Sequence, residues 1–107
     1  MIDEAQMEKS LHHLADTDDE YARAKMDLER AEILRKRTRA RVFQTGEGTV
    51  AERNAAAETS DDVGTADDAY IAAIGKYEGL KASRQRAELI IEVWRSLNAA
   101  RRRGNLN

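Results

Sequence analysis

The sequence predicts an all-α protein, an antiparallel hairpin of two long helices with a short connecting helix, assembled into a dimer or larger oligomer. Three observations predict it. Charged residues make up 36% of the 107 positions, aromatics only 5%, and there is no proline. Such a composition suits long helices and coiled coils, and without proline nothing interrupts them. Apolar residues recur every seven positions through the N-terminal half. The charge comes in blocks: −6 over residues 1–20, +5 over 21–44, −6 over 45–70 and +5 over 71–107. An antiparallel hairpin lays the first block beside the fourth and the second beside the third. Both pairings are opposite in sign, whereas a parallel arrangement sets like charges together. Each surface pair contributes little, on the order of 0–1 kcal/mol.

The first helix is expected over about residues 3–44. Met7, Leu14, Tyr21, Leu28 and Val42 keep the heptad spacing, with Arg35 interrupting it. Three residues on from these lie Ser10, Thr17, Ala24, Ala31 and Thr38. A large–small alternation along one stripe fits a close antiparallel helix pair. Asp3 and Glu4 at the start and the bases Arg35 to Arg41 near the end complement the helix dipole, and Gly46 and Gly48 supply the stop.

Thr49-Val50-Ala51-Glu52 then forms a capping box, with the Thr49 hydroxyl covering one orphan N–H and Glu52 another. It opens a short helix over about residues 50–58. Val50, Ala51, Ala55 and Ala56 give that helix a thin apolar face, expected to lie across the end of the hairpin. The third helix is expected from about Asp61 or Ala66 to Arg103. Ser60 is its N-cap, with Asp61 and Asp62 in its first turn; Thr65 with Asp68 is the fallback start, because Gly64 weakens the helix there. Its stripe is Tyr70, Ala73, Ile74, Tyr77, Leu80, Ala87, Ile90, Ile91, Trp94 and Leu97. Gly75 and Gly79 lie beside the stripe and mark either a close approach of a partner backbone or a soft region. Arg101 to Arg103 and Gly104 close the helix, and residues 105–107 form a tail. The pairing sets Trp94 near Leu11 and Leu14, and Tyr70 near Arg35. No repeat of solenoid period is found. The whole chain, 1–107, reads as a single helical-hairpin domain.

Composition narrows the function classes. With no cysteine, thiolate metal sites, disulfides and Cys nucleophiles are excluded. The longest apolar run, Leu89-Ile90-Ile91, is too short to span a membrane. The acidic N-terminus resembles neither a secretory signal nor a transit peptide, so a cytoplasmic protein is expected. Glu8, His12 and Asp16 share one helix face, as metal ligands would, but no second ligand cluster completes a site, and a solvated charged face explains them. The acidic pairs Asp18-Asp19, Asp61-Asp62 and Asp67-Asp68 are adjacent on helices and do not face one another, so they make poor acid–base partners. Gly46-Glu47-Gly48-Thr49 lacks the lysine of a phosphate loop. No serine has a local base. The expectation is a non-enzyme with no catalytic, cofactor or metal residues.

Two surfaces stand out. Ile90, Val93, Trp94, Arg95 and Leu97, with Tyr77, present more apolar surface than a two-helix seam can cover, and form the expected partner interface. Arg35, Lys36, Arg37, Arg39 and Arg41, with Arg101, Arg102 and Arg103, are the candidate nucleic-acid contacts. Against that reading, the first cluster faces an acidic block, no tyrosine is displayed for stacking, and the pI is about 5.7.

Gly48, Val50, Glu52 and Arg53, followed by Ala87, Glu88, Ile91, Glu92, Trp94, Arg95 and Ser96, resemble a pattern in small uncharacterised helical proteins of tailed phages and prophages. The resemblance covers the C-terminal 60 or so residues, and the first helix only in character. It implies a setting: such proteins are encoded near phage genes for DNA replication and recombination, beside single-strand annealing or single-strand-binding proteins. It carries over no catalytic residues. The function expected is a phage-type helical adaptor that self-associates and docks onto a phage or host protein. The alternatives are a nucleic-acid-binding accessory protein, or an inhibitor of a host defence enzyme whose acidic blocks imitate nucleic acid.

Overall fold

The structure, a computed structural model, describes residues 1–104. It is a long helix hairpin with a short helix in the connection: α1 spans Glu4–Thr45, α2 Val50–Thr59 and α3 Asp61–Arg102. No strand occurs among the described residues. The all-α hairpin expected from the sequence is borne out; the ends of α1 and α2 lie within a residue of their expected places, and α3 begins at Asp61, the earlier of its two expected starts. The tail at 105–107 lies outside the described residues.

Each helix begins on a side-chain cap. At α1 the Gln6 N–H donates to Asp3 Oδ1 at 2.8 Å and the Asp3 N–H donates to Gln6 Oε1 at 3.0 Å. This Asp-x-x-Gln capping box is legible in the sequence, but the acidic charge of that turn drew the reading instead. At α2 the Glu52 N–H donates to Thr49 Oγ1 at 3.2 Å, as expected. Glu52 answers differently: its carboxylate accepts from the Thr49 hydroxyl, also at 3.2 Å. Gly48 makes room for this. Its φ is +98°, and a Cβ there would run into the Glu52 carboxylate. Between α2 and α3 only Ser60 leaves the helical region, with ψ 131°.

α1 departs from the sequence reading at its C-terminus. Its last turn holds no base. The dipole effect fades beyond the terminal turn, and two of the cluster's bases, Arg35 and Arg41, reach aspartates of α3. Thr45 covers the end instead, donating from its hydroxyl to the Arg41 carbonyl at 2.9 Å. α3 does carry Arg101 and Arg102 in its last turn, and Gly104, at φ +76°, ends it by donating its N–H to the Arg101 carbonyl.

The chain folds into two compact units, one of Met1–Ala22 with Glu78–Asn107, the other of Arg23–Tyr77. Within each, α1 and α3 meet along the heptad seam. On α1, Met7, Ser10, Thr17, Ala24 and Thr38 are buried, while Leu14, Tyr21, Leu28, Ala31, Arg35 and Val42 are half-buried. On α3, Val63, Ala66 and Ala87 are buried, and Tyr70, Ala73, Tyr77, Leu80, Arg84, Ile91 and Trp94 are half-buried. Mostly small side chains vanish between the helices, and larger ones lap around them. This is how an antiparallel pair packs closely with few aromatics.

α2 belongs to the second unit and buries a face other than the one expected. Val50, Ala51, Ala55 and Ala56 are all exposed, whereas Ala57 is 1% exposed and Arg53 half-buried. The covered positions, Arg53, Ala57 and Ser60, continue the 3–4 spacing of the α3 seam back from Val63 and Ala66. Arg53 is accommodated by its stem: its guanidinium lies 5.9 Å from the Phe43 ring centroid, although Nε is buried without a hydrogen-bond partner. Counting only apolar residues missed this face because an arginine stem fills much of it.

Candidate interaction surface

The functional reading depends on which side chains the seam consumes and which it leaves outward. In the unit of Met1–Ala22 and Glu78–Asn107, Arg84 sits at a seam position of α3. One guanidinium nitrogen donates to the Leu14 carbonyl at 2.9 Å and to Thr17 Oγ1 at 2.8 Å; the other reaches Asp18 Oδ1 at 2.7 Å. The same guanidinium lies 4.9 Å from the Tyr21 ring centroid. Thr17 in turn donates to the His13 carbonyl at 2.6 Å, so its buried hydroxyl is satisfied both ways. One turn away His13 Nε2 and Ser83 Oγ are 3.1 Å apart.

In the unit of Arg23–Tyr77 the roles of the helices are exchanged. Arg35, at a seam position of α1, donates from Nε to Asp67 Oδ1 at 3.0 Å and lies 4.9 Å from the Tyr70 ring centroid. Arg41 and Asp62 form a looser pair at 3.6 Å. The second charge block thus meets the third and the first meets the fourth, as an antiparallel hairpin requires.

The candidate nucleic-acid contacts therefore divide. Arg35 is built into the seam, Arg41 pairs with Asp62, and Lys36 reaches Glu32 one turn back at 3.2 Å. Arg37 and Arg39 are exposed on α1, and Arg102 and Arg103 are exposed at the end of α3. Arg101 places a guanidinium nitrogen 3.2 Å from the Met1 sulfur. Tyr70 and Tyr77 are half-buried and engaged within the protein rather than presented for stacking.

The candidate partner residues also divide. Trp94 is half-buried and lines a cleft with Ile2, Asp3, Asn98 and Arg101, so the N-terminal residues cover part of it. Leu11, expected beneath Trp94, is instead 47% exposed. Ile90 and Leu97 are half-buried, while Val93 and Arg95 are exposed and Arg95 leans on Glu92 at 3.4 Å. The sequence reading omitted Leu89, which is 63% exposed. Leu89 and Val93 are one turn apart, and Ile90, Val93 and Leu97 follow at 3–4 spacing. Together they make an apolar strip on the outer side of α3. The aliphatic run Leu89-Ile90-Ile91 gives no phase by itself; continuing the heptad from Arg84 and Ala87 places Leu89 outward.

Among the described residues no cluster of three or more His, Asp or Glu side chains is placed to hold a metal ion, and no helix is long and apolar enough to cross a membrane. Comparison with protein-family models, with curated proteins and with solved structures found no match.

Proposed function

We propose that this protein is a non-catalytic helical adaptor that works by protein–protein association, beginning with a second copy of itself. The observation that carries this reading is the outer strip of α3. Leu89, Ile90, Val93 and Leu97 form an apolar row that the α1–α3 seam leaves uncovered or only half-covered. Exposed contiguous apolar rows flanked by charge are typical of association surfaces, and Glu92 and Arg95 supply the charged margin here. The sequence resemblance to small helical proteins of tailed phages supplies the setting: an accessory to phage DNA replication or recombination, acting in the host cytoplasm on a phage or host protein.

The test is sedimentation equilibrium at high micromolar concentration on the wild-type chain and on Leu89→Asp/Val93→Asp. The wild type is expected to sediment as a dimer or larger species. The variant is expected to be monomeric with unchanged helical circular dichroism, since both positions point outward. A wild type that is monomeric throughout the range contradicts the proposal.

A further inference from the structure

The two arginine clusters are the same cluster twice. Asp18, Tyr21 and Arg35 in α1 each have an identical residue 49 positions later, at Asp67, Tyr70 and Arg84 in α3. Asp19 and Asp68, Ala24 and Ala73, Glu29 and Glu78, and Arg37 and Arg86 match at the same offset. The side chains agree as well as the letters. Each arginine contacts the aspartate of the other helix, and each lies 4.9 Å from the ring of the tyrosine one turn beyond that aspartate. A two-copy repeat at this offset is not a solenoid period, and the heptad stripe hides it because most seam positions differ in identity while keeping their size.

It follows that each long helix carries both halves of the lock. α1 has its own Asp18 and Tyr21 and its own Arg35; α3 has Asp67, Tyr70 and Arg84. Two copies of α1, run antiparallel, can seat Arg35 of each on Asp18 and Tyr21 of the other, at the spacing the hairpin uses between different helices. The seam fits as well. The Arg84–Thr17 bond sets the hairpin register, and heptad counting from it opposes Leu14 with Ala87, and Leu28 with Ala73. Carried over to two α1 helices, the same register opposes Leu14 with Thr38, Thr17 with Arg35, Tyr21 with Ala31 and Ala24 with Leu28. In α1 every one of these layers matches a large residue with a small one. In α3 the register opposes Ala66 with Arg84 and Ala73 with Tyr77, and sets Tyr70 against Leu80 as the hairpin itself sets Tyr21 against Leu80.

We propose that each long helix is self-complementary, and that a second copy of this chain can pair with it like to like, α1 with α1 and α3 with α3, through the seam that the hairpin otherwise fills from within. This is independent of the outer strip, which serves association between closed hairpins.

Two charge exchanges separate the arrangements, both made in the Leu89→Asp/Val93→Asp background so that the outer strip plays no part. Asp18→Arg with Arg84→Asp keeps opposite charges paired inside the hairpin. In like-to-like pairing it sets Arg35 against the arginine introduced at position 18, and Asp67 against the aspartate introduced at position 84. Asp18→Arg with Arg35→Asp does the reverse: like charges meet inside the hairpin, and opposite charges meet between two copies. Each exchange turns round one arginine–aspartate pair per chain in the arrangement it favours. Read by sedimentation equilibrium and circular dichroism, the first variant is expected to be a helical monomer. The second is expected to be a helical dimer whose fraction rises with concentration. A second variant that is monomeric, or unfolded where the first is folded, overturns the proposal, as does a first variant that dimerises as strongly as the second.

Discussion

At the scale of single residues, the hairpin depends on polar groups placed where a coiled coil ordinarily carries aliphatic ones. Arg84 is the clearest case. Its side chain is only 15% exposed, and it satisfies a carbonyl, a hydroxyl and a carboxylate while stacking on a ring. Replacing it with methionine keeps the stem but leaves Thr17 and the Leu14 carbonyl without their donor. The expected loss is about 1–3 kcal/mol of unfolding free energy by urea denaturation. In a double-mutant cycle with Asp18→Asn the coupling is expected to be no more than about 1 kcal/mol, because Asp18 is 65% exposed. The glycines make a second residue-scale prediction. A Cβ added at Gly75 or Gly79 meets nothing within 4 Å, so neither marks a close approach within the chain. Each Gly→Ala change is expected to raise stability by up to about 1 kcal/mol, read as a higher melting temperature. Gly48→Ala is expected to lower it, since it strains a left-handed backbone and displaces the Glu52 carboxylate from Thr49.

At the scale of elements, the three helices and their ends were legible in the sequence because proline is absent, capping residues are plain, and the heptad of α1 is nearly unbroken. What the sequence reading missed had two sources. A residue type stands in for another: the Arg53 stem in place of an apolar side chain on α2, Arg35 as a seam residue where the heptad shows an interruption, and Arg84 as a seam residue that the apolar stripe of α3 passes over. In each case the arginine's methylenes do the packing; the charged ends of Arg35 and Arg84 find a carboxylate at the edge, while that of Arg53 lies against the Phe43 ring. The other source was distance along the chain. The matched clusters are 49 positions apart, and nothing local signals that Asp18-x-x-Tyr21 and Asp67-x-x-Tyr70 perform the same task. Val93 and Arg95, named among the expected partner residues, are exposed. Leu89 is not among those residues because an aliphatic run gives no phase by itself; Arg84 and Ala87 supply it.

At the scale of the whole molecule, the alternating charge blocks find opposite partners along an antiparallel seam, and this engages Arg35 and Arg41 of the basic cluster that first suggested nucleic acid. Arg35, Lys36 and Arg41 each stand beside a carboxylate, the net charge is −2, and Tyr70 is engaged by Arg35 rather than presented for stacking, all of which weigh against binding a phosphate backbone. The purified chain is therefore expected to leave single- and double-stranded DNA unshifted in a gel assay at low salt. A salt-dependent shift, lost on Arg37→Ala/Arg39→Ala, would instead establish the nucleic-acid reading. The central claim remains the antiparallel seam with its register set by the two arginine clusters, since the outer strip and the exchangeable pairing both follow from it. Because the chain has no native cysteine, Leu14→Cys/Ala87→Cys tests that register directly. On mild oxidation it is expected to form a disulfide within one chain, seen as a faster-migrating monomer on a non-reducing gel and reversed by reductant. A chain that fails to close that bond, or that links only to other copies, would contradict the seam described.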